Sequence, residues 1–165
     1  MTDRYAVIGN PIAHSKSPMI QAAFAASTGQ GMSYERLLAP LDGFRATVER
    51  FAAEGGLGLN VTIPFKLEAF ELATETTQRA RLAGAVNTLK RIDGGWLADN
   101  TDGARLVRDL MHNHGIVVTG QAVAILGAGG AVRGILKPLL DAGAVSVAVS
   151  NRTMAKAEAI AAHFS

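Results

Sequence analysis

Gln121-Ala-Val-Ala-Ile-Leu-Gly-Ala-Gly-Gly-Ala-Val-Arg-Gly134 decides the fold. Residues 121–126 read as a buried strand that runs directly into a glycine-rich turn, and the spacing predicts a helix from there to Ala142. Strand, Gly-x-Gly, helix is the order a dinucleotide needs. Gly127 permits the tight turn, and Gly129 lets the backbone approach a pyrophosphate that faces the free N–H groups of the helix N-terminus. The third glycine of the usual fingerprint falls at Val132, so a strict Gly-x-Gly-x-x-Gly match fails. Taken alone, the loop also fits a strand-to-helix turn that binds nothing. Pro138 lies inside the helix and is expected to bend it.

The next strand, 145–150, ends in Ser150-Asn151-Arg152-Thr153, and a helix follows over 154–164. Cofactors without a 2′-phosphate are usually held at this strand end by an acid. Here Asn151, Arg152 and Thr153 offer donors, Arg152 can pair with a phosphate bidentately, and Lys156 adds a cation one helical turn on. That set favours NADP over NAD. A surface arginine beside a helix cap at Thr153 is the alternative.

Outward from this unit, short apolar runs alternate with amphipathic stretches, the α/β pattern. Strands are expected at 5–9, 33–38 and 58–62, and helices at 17–28, 42–53, 65–73 and 103–114. Ser17 and Asp42 are the expected caps. Residues 85–92, the turn at 93–95 and residues 96–98 read as a hairpin. The composition of the elements changes after Gly115, giving expected domains at 1–102 and 103–165.

Composition excludes several classes. The chain has 165 residues with 16 Lys+Arg against 14 Asp+Glu, a formal net charge of +2, and no basic block, so neither a nucleic-acid groove nor a polybasic membrane patch is expected. There is no Cys, and the four His lack ligand spacing, so no metal is expected. No apolar run approaches a membrane span, and Ala6-Val7-Ile8 is too short for a signal peptide. A soluble, cytoplasmic chain is the expectation.

In the first half, Ser15 and Ser17 lie beside a helix N-terminus where two hydroxyls and free N–H groups can hold a small carboxylate. Thr62 and Lys66 follow a strand's C-terminal end, where α/β folds bind ligands. Asn87 lies in an apolar strand, where its amide must find partners. Each also has a plain reading: a cap, a solvated lysine, a satisfied amide, and for Asp102 a turn before a helix.

Gly9-Asn-Pro-Ile-Ala-His-Ser-Lys-Ser-Pro18, Asn60-Val-Thr-Ile-Pro-Phe-Lys66, Ala83-Gly-Ala-Val-Asn-Thr88, Asp99-Asn-Thr-Asp-Gly103, Gly127-Ala-Gly-Gly-Ala131 and Asn151-Arg-Thr153 together resemble the shikimate dehydrogenase family, in the family's order. The resemblance implies an α/β substrate domain followed by the start of a Rossmann-type NADP-binding domain. It implies reversible reduction of 3-dehydroshikimate to shikimate with NADPH, in aromatic amino-acid biosynthesis, and is compatible with a homodimer. It assigns Ser15 and Ser17 to the substrate carboxylate, and Thr62, Lys66, Asn87 and Asp102 to the ring hydroxyls and the reacting oxygen. Lys66 and Asp102 are then the expected catalytic pair. Gly127, Ala128, Gly129, Gly130 and Ala131 become the pyrophosphate loop, and Asn151, Arg152, Thr153 and Lys156 the 2′-phosphate pocket. A further family position that touches the cofactor corresponds to Gln78, whose role stays open.

A dinucleotide domain of this class has about six parallel strands, and only two follow Gly120. The chain therefore reads as the N-terminal part of such an enzyme, and this piece alone is expected to be impaired or inactive. Two other readings compete: an NAD-preferring quinate/shikimate dehydrogenase, which should carry an acid near Arg152, and a ligand-sensing module without turnover, which does not need both Lys66 and Asp102.

Overall fold

The computed structural model describes residues 2–164. In chain order it contains β1 (Asp3–Gly9), α1 (Ser17–Thr28), β2 (Met32–Leu38), α2 (Phe44–Ala53), β3 (Gly56–Val61), α3 (Lys66–Leu72), β4 (Glu75–Thr76), α4 (Gln78–Ala83), β5 (Thr88–Ile92) and β6 (Gly95–Asp99). There follow α5 (Asp102–Arg108), a π-helical turn over Asp109–Asn113, β7 (Ala122–Leu126), α6 (Gly130–Asp141), β8 (Ser146–Ser150) and α7 (Met154–Phe164). The fold is α/β. Two compact units divide it: one gathers the chain up to Thr77 with Val86–Asp99, the other Gln78–Ala85 with the chain from Asn100 onward.

In the first unit, Ala6, Val7 and Ile8 are all buried, so β1 is covered on both faces. It lies between β2 and β3 in a six-stranded sheet ordered β2-β1-β3-β5-β6-β4. β1 runs parallel to β2 and β3, while β5 is antiparallel to both β3 and β6. The order places the C-terminal ends of β1 and β3 side by side, with the Thr62 N–H donating to the Ile8 carbonyl at 3.0 Å. On α2, Phe44, Val48 and Phe51 recur at helical spacing and are buried, and Phe44 stacks on Phe65 with ring centroids 5.0 Å apart.

In the second unit, β7 and β8 pair in parallel from Ala122↔Ser146 to Leu126↔Ser150. Val132 and Leu136 of α6 pack with Ile160 of α7, and Leu139 packs with Val118 and Ala144. The β-α-β-α order with a parallel pair is Rossmann-type. Among the described residues no helix is long and apolar enough to cross a membrane.

Several local expectations need correction. Neither Ser17 nor Asp42 is a helix cap: Lys16 and Gly43 occupy those positions, and neither helix has a side-chain cap hydrogen bond. Ser17 already belongs to α1, and its N–H donates to the Ser15 hydroxyl behind it at 3.3 Å. The helix expected over 103–114 is α-helical only to Arg108 before the π-helical turn. β4 and α4 were not expected, and β5 starts at Thr88 rather than at 85.

Candidate functional site

The loop from β1 to α1 is fixed from outside. Arg36 of β2 donates from Nε and Nη2 to the Ser15 carbonyl at 2.9 and 2.6 Å. With its backbone held, Ser15 brings its hydroxyl within 3.2 Å of the Ser17 hydroxyl. Both serines are half-buried, and α1 starts beside them with the Ser17 N–H bonded to the Ser15 hydroxyl and no side-chain bond from the cap residue Lys16. Two hydroxyls converging on a helix start are suited to a carboxylate.

The end of β3 carries the second part. The Phe65 N–H closes a turn onto the Thr62 carbonyl at 3.0 Å, and α3 opens with Lys66. Two backbone bonds tie this turn to the segment before β5: Val61 N–H to the Asn87 carbonyl and Val86 N–H to the Lys66 carbonyl, each 2.8 Å. They bring Thr62, Lys66 and Asn87 to one strand end, with Asn87 buried and the other two half-buried. The first unit thus combines hydroxyls, an amide and an ammonium at adjacent strand ends. That chemistry is suited to a polyhydroxy carboxylate.

Asp102 belongs to the second unit, as the first residue of α5. Its N–H is bonded by the Asn100 side-chain oxygen at 3.1 Å, and the Asn100 amide nitrogen donates to the Ala85 carbonyl at 2.9 Å. Gln78 opens α4 and lines a shallow pocket with Arg133 and Lys137.

The nucleotide loop follows β7 directly. Gly127 sits at φ +125°, a conformation that L side chains rarely adopt, and its N–H donates to the Ser150 carbonyl at 2.7 Å. A Cβ at Gly127 or Gly129 would meet nothing within 4 Å, so open space lies beside the backbone where α6 starts without a side-chain cap. Gly127, Ala128, Gly129, Gly130 and Ala131 therefore fit a pyrophosphate. Val132 occupies the third fingerprint position and is buried against Leu136 and Ile160. Close helix packing is met elsewhere, at Gly134 and Gly103: a Cβ on Gly103 would lie 2.3 Å from the Gly134 carbonyl oxygen.

At the end of β8, the Asn151 amide donates to the Thr153 carbonyl at 2.8 Å and shapes the turn. Arg152 and Lys156 are exposed, with no side-chain partner among the described residues. Two exposed cations beside this turn suit a phosphate monoester.

Arg36 and Asn100 escaped the sequence reading. Arg36 looks like any polar residue of an edge strand, and Asn100 lies within a quoted motif without a role of its own. Only the fold reveals what each one holds.

The family model of the shikimate dehydrogenase substrate binding domain matches residues 7–89, and that of shikimate / quinate 5-dehydrogenase matches residues 109–165. A shikimate dehydrogenase (NADP(+)) from Thioalkalivibrio sulfidiphilus is 60% identical over 163 residues, covering 98% of this chain and 60% of that protein. Among solved structures, an Ael1 enzyme from Pseudomonas putida is 50% identical with a TM-score of 0.86, over 96% of this chain and 59% of that one. Shikimate 5-dehydrogenase from Thermus thermophilus, in complex with NADP(H) and shikimate, is 36% identical with a TM-score of 0.88, over 99% of this chain and 61% of that one. The chain spans about 60% of the length of the curated relatives it matches. The substrate-domain match across the strand ends that carry Ser15, Ser17, Thr62, Lys66 and Asn87 makes this chain a member of the shikimate dehydrogenase family.

Proposed function

We propose that the chain serves the reversible, NADPH-dependent reduction of 3-dehydroshikimate to shikimate, in the cytoplasm and in aromatic amino-acid biosynthesis. Residues 1–102 take the substrate and residues 103–165 begin the cofactor site. The observation that carries the reading is the pair of backbone bonds from Val61 to Asn87 and from Val86 to Lys66, which gathers a hydroxyl, an amide and an ammonium at one strand end. The complex of the Thermus thermophilus relative with NADP(H) and shikimate supports the choice of both ligands. A homodimer belongs to the same reading, and sedimentation checks it.

In this mechanism Ser15 and Ser17 hold the carboxylate, aided by the N–H groups of α1. Thr62 and Asn87 bond ring hydroxyls and fix the ring. NADPH, when bound, supplies the hydride. As the carbonyl carbon is reduced, negative charge grows on its oxygen, and the Lys66 ammonium stabilises that charge and delivers the proton. Asp102 accepts a hydrogen bond from a ring hydroxyl and shares the proton inventory. The loop from Gly127 to Ala131 takes the pyrophosphate, with the backbone N–H groups that follow Gly127 as the donors, while Asn151, Arg152, Thr153 and Lys156 take the 2′-phosphate.

The test is nicotinamide absorbance with shikimate and NADP+, and with quinate and NAD+ as controls. Reduction of NADP+ that depends on shikimate is expected. Preference for NAD+ or for quinate would contradict the assignment.

A further inference from the structure

We propose that Tyr34, Asn60 and Thr88 form a polarised hydrogen-bond relay across the sheet that holds the Asn87 carboxamide in one orientation. This deepens the substrate reading above and rests on it.

The register brings the three side chains together. Tyr34 pairs with Tyr5, Tyr5 pairs with Gly58, and Asn60, two residues along β3, pairs with Thr88. Directly opposed residues, and residues two apart on a strand, share a sheet face, so Tyr34, Asn60 and Thr88 lie on the same one. The Tyr34 hydroxyl donates to Asn60 Oδ1 at 2.7 Å. Asn60 Nδ2 reaches Thr88 Oγ1 at 3.4 Å, and Thr88 Oγ1 donates to Asn87 Oδ1 at 2.9 Å.

A chain of hydroxyls and amides can in principle run in either direction, because a carboxamide can be turned over. Here one contact removes the choice. The Asn60 nitrogen also faces the Asn87 backbone carbonyl at 3.4 Å, and that oxygen can only accept. The Asn60 atom there must be Nδ2, which leaves Oδ1 for the Tyr34 hydroxyl and makes Thr88 the acceptor from Asn60. Thr88 keeps one proton to donate, and Asn87 Oδ1 at 2.9 Å accepts it; with the Asn87 amide turned over, that proton would lose this acceptor. Tyr34, Asn60 and Thr88 touch no substrate and are positioning residues.

Three readouts test this: shikimate affinity, its dependence on Asn87, and the NMR signal of the Asn87 side-chain amide. Thr88→Val keeps the shape and strand preference but loses the proton, whereas Thr88→Ser keeps it. Shikimate should bind about 3- to 10-fold more weakly to Thr88→Val and regain near wild-type affinity in Thr88→Ser. In an Asn87→Ala background Thr88→Val should cause little further loss, and Thr88→Val should move the Asn87 amide signal. Tyr34→Phe, which leaves Thr88 intact, should give a smaller change in the same direction. An unmoved Asn87 signal, or an equal loss with and without Asn87, overturns the relay. Absence of shikimate binding by the wild type, with the Asn87 signal still responding to Thr88→Val, overturns the substrate reading instead.

Discussion

The Asp102 N–H is held by the Asn100 side-chain oxygen at 3.1 Å, and the same side chain donates to the Ala85 carbonyl at 2.9 Å. Asn100 is only 3% exposed, so both ends of its amide are used away from water. One buried residue therefore sets where α5, and with it Asp102, begins.

Asn100→Ala should remove its bonds to the Asp102 N–H and the Ala85 carbonyl together. A loss of roughly 1–3 kcal/mol in unfolding free energy is expected. Denaturant unfolding checks it, and an unchanged midpoint would show that this amide is dispensable.

Gly103→Ala should destabilise by roughly 1–3 kcal/mol, because the added carbon would lie 2.3 Å from the Gly134 carbonyl oxygen and 2.8 Å from Pro138 Cβ. Neither neighbour is a flexible side-chain end. Thermal unfolding of the variant reads the effect, and an unaltered Tm would contradict the packing argument.

Arg152→Ala should weaken NADP+ binding about 10- to 100-fold and leave NAD+ nearly unaffected, since a charge-assisted pair to a 2′-phosphate is absent for the second cofactor. Titration with both nucleotides checks it. Equal losses for the two would move Arg152 out of the 2′-phosphate pocket.

Lys66→Ala should lower turnover about 10²- to 10⁴-fold, with a much smaller change in shikimate affinity, because the ammonium acts chiefly on charge that develops during reduction. Steady-state rates beside binding titrations separate the two quantities. Equal turnover in variant and wild type would end the catalytic assignment.

Much of this was legible in the chain because it depends on local chemistry. The strand over 122–126, the Gly127 turn and α7 follow from an apolar run, a left-handed glycine and an uninterrupted amphipathic stretch. The caps were misread because Ser17 is already the first residue of α1 and Asp42 precedes α2 without capping it, and a cap is a geometry rather than a residue type. α4 has six residues and β4 two, too few to display a period. Arg36 and the Tyr34–Asn60–Thr88 relay could not be read at all. Tyr34 and Asn60 stand 26 positions apart, and Asn60 and Thr88 stand 28 apart, joined only through strand register.

Calorimetric titration of shikimate into the protein, beside the Ser15→Ala and Ser17→Ala variants, tests the central claim most directly: that the ends of β1 and β3 form a site for a polyhydroxy carboxylate. Saturable binding by the wild type, weakened about 3- to 10-fold or more by each loss of a hydroxyl, is the predicted result. No binding by the wild type, or equal affinity in all three proteins, would contradict it.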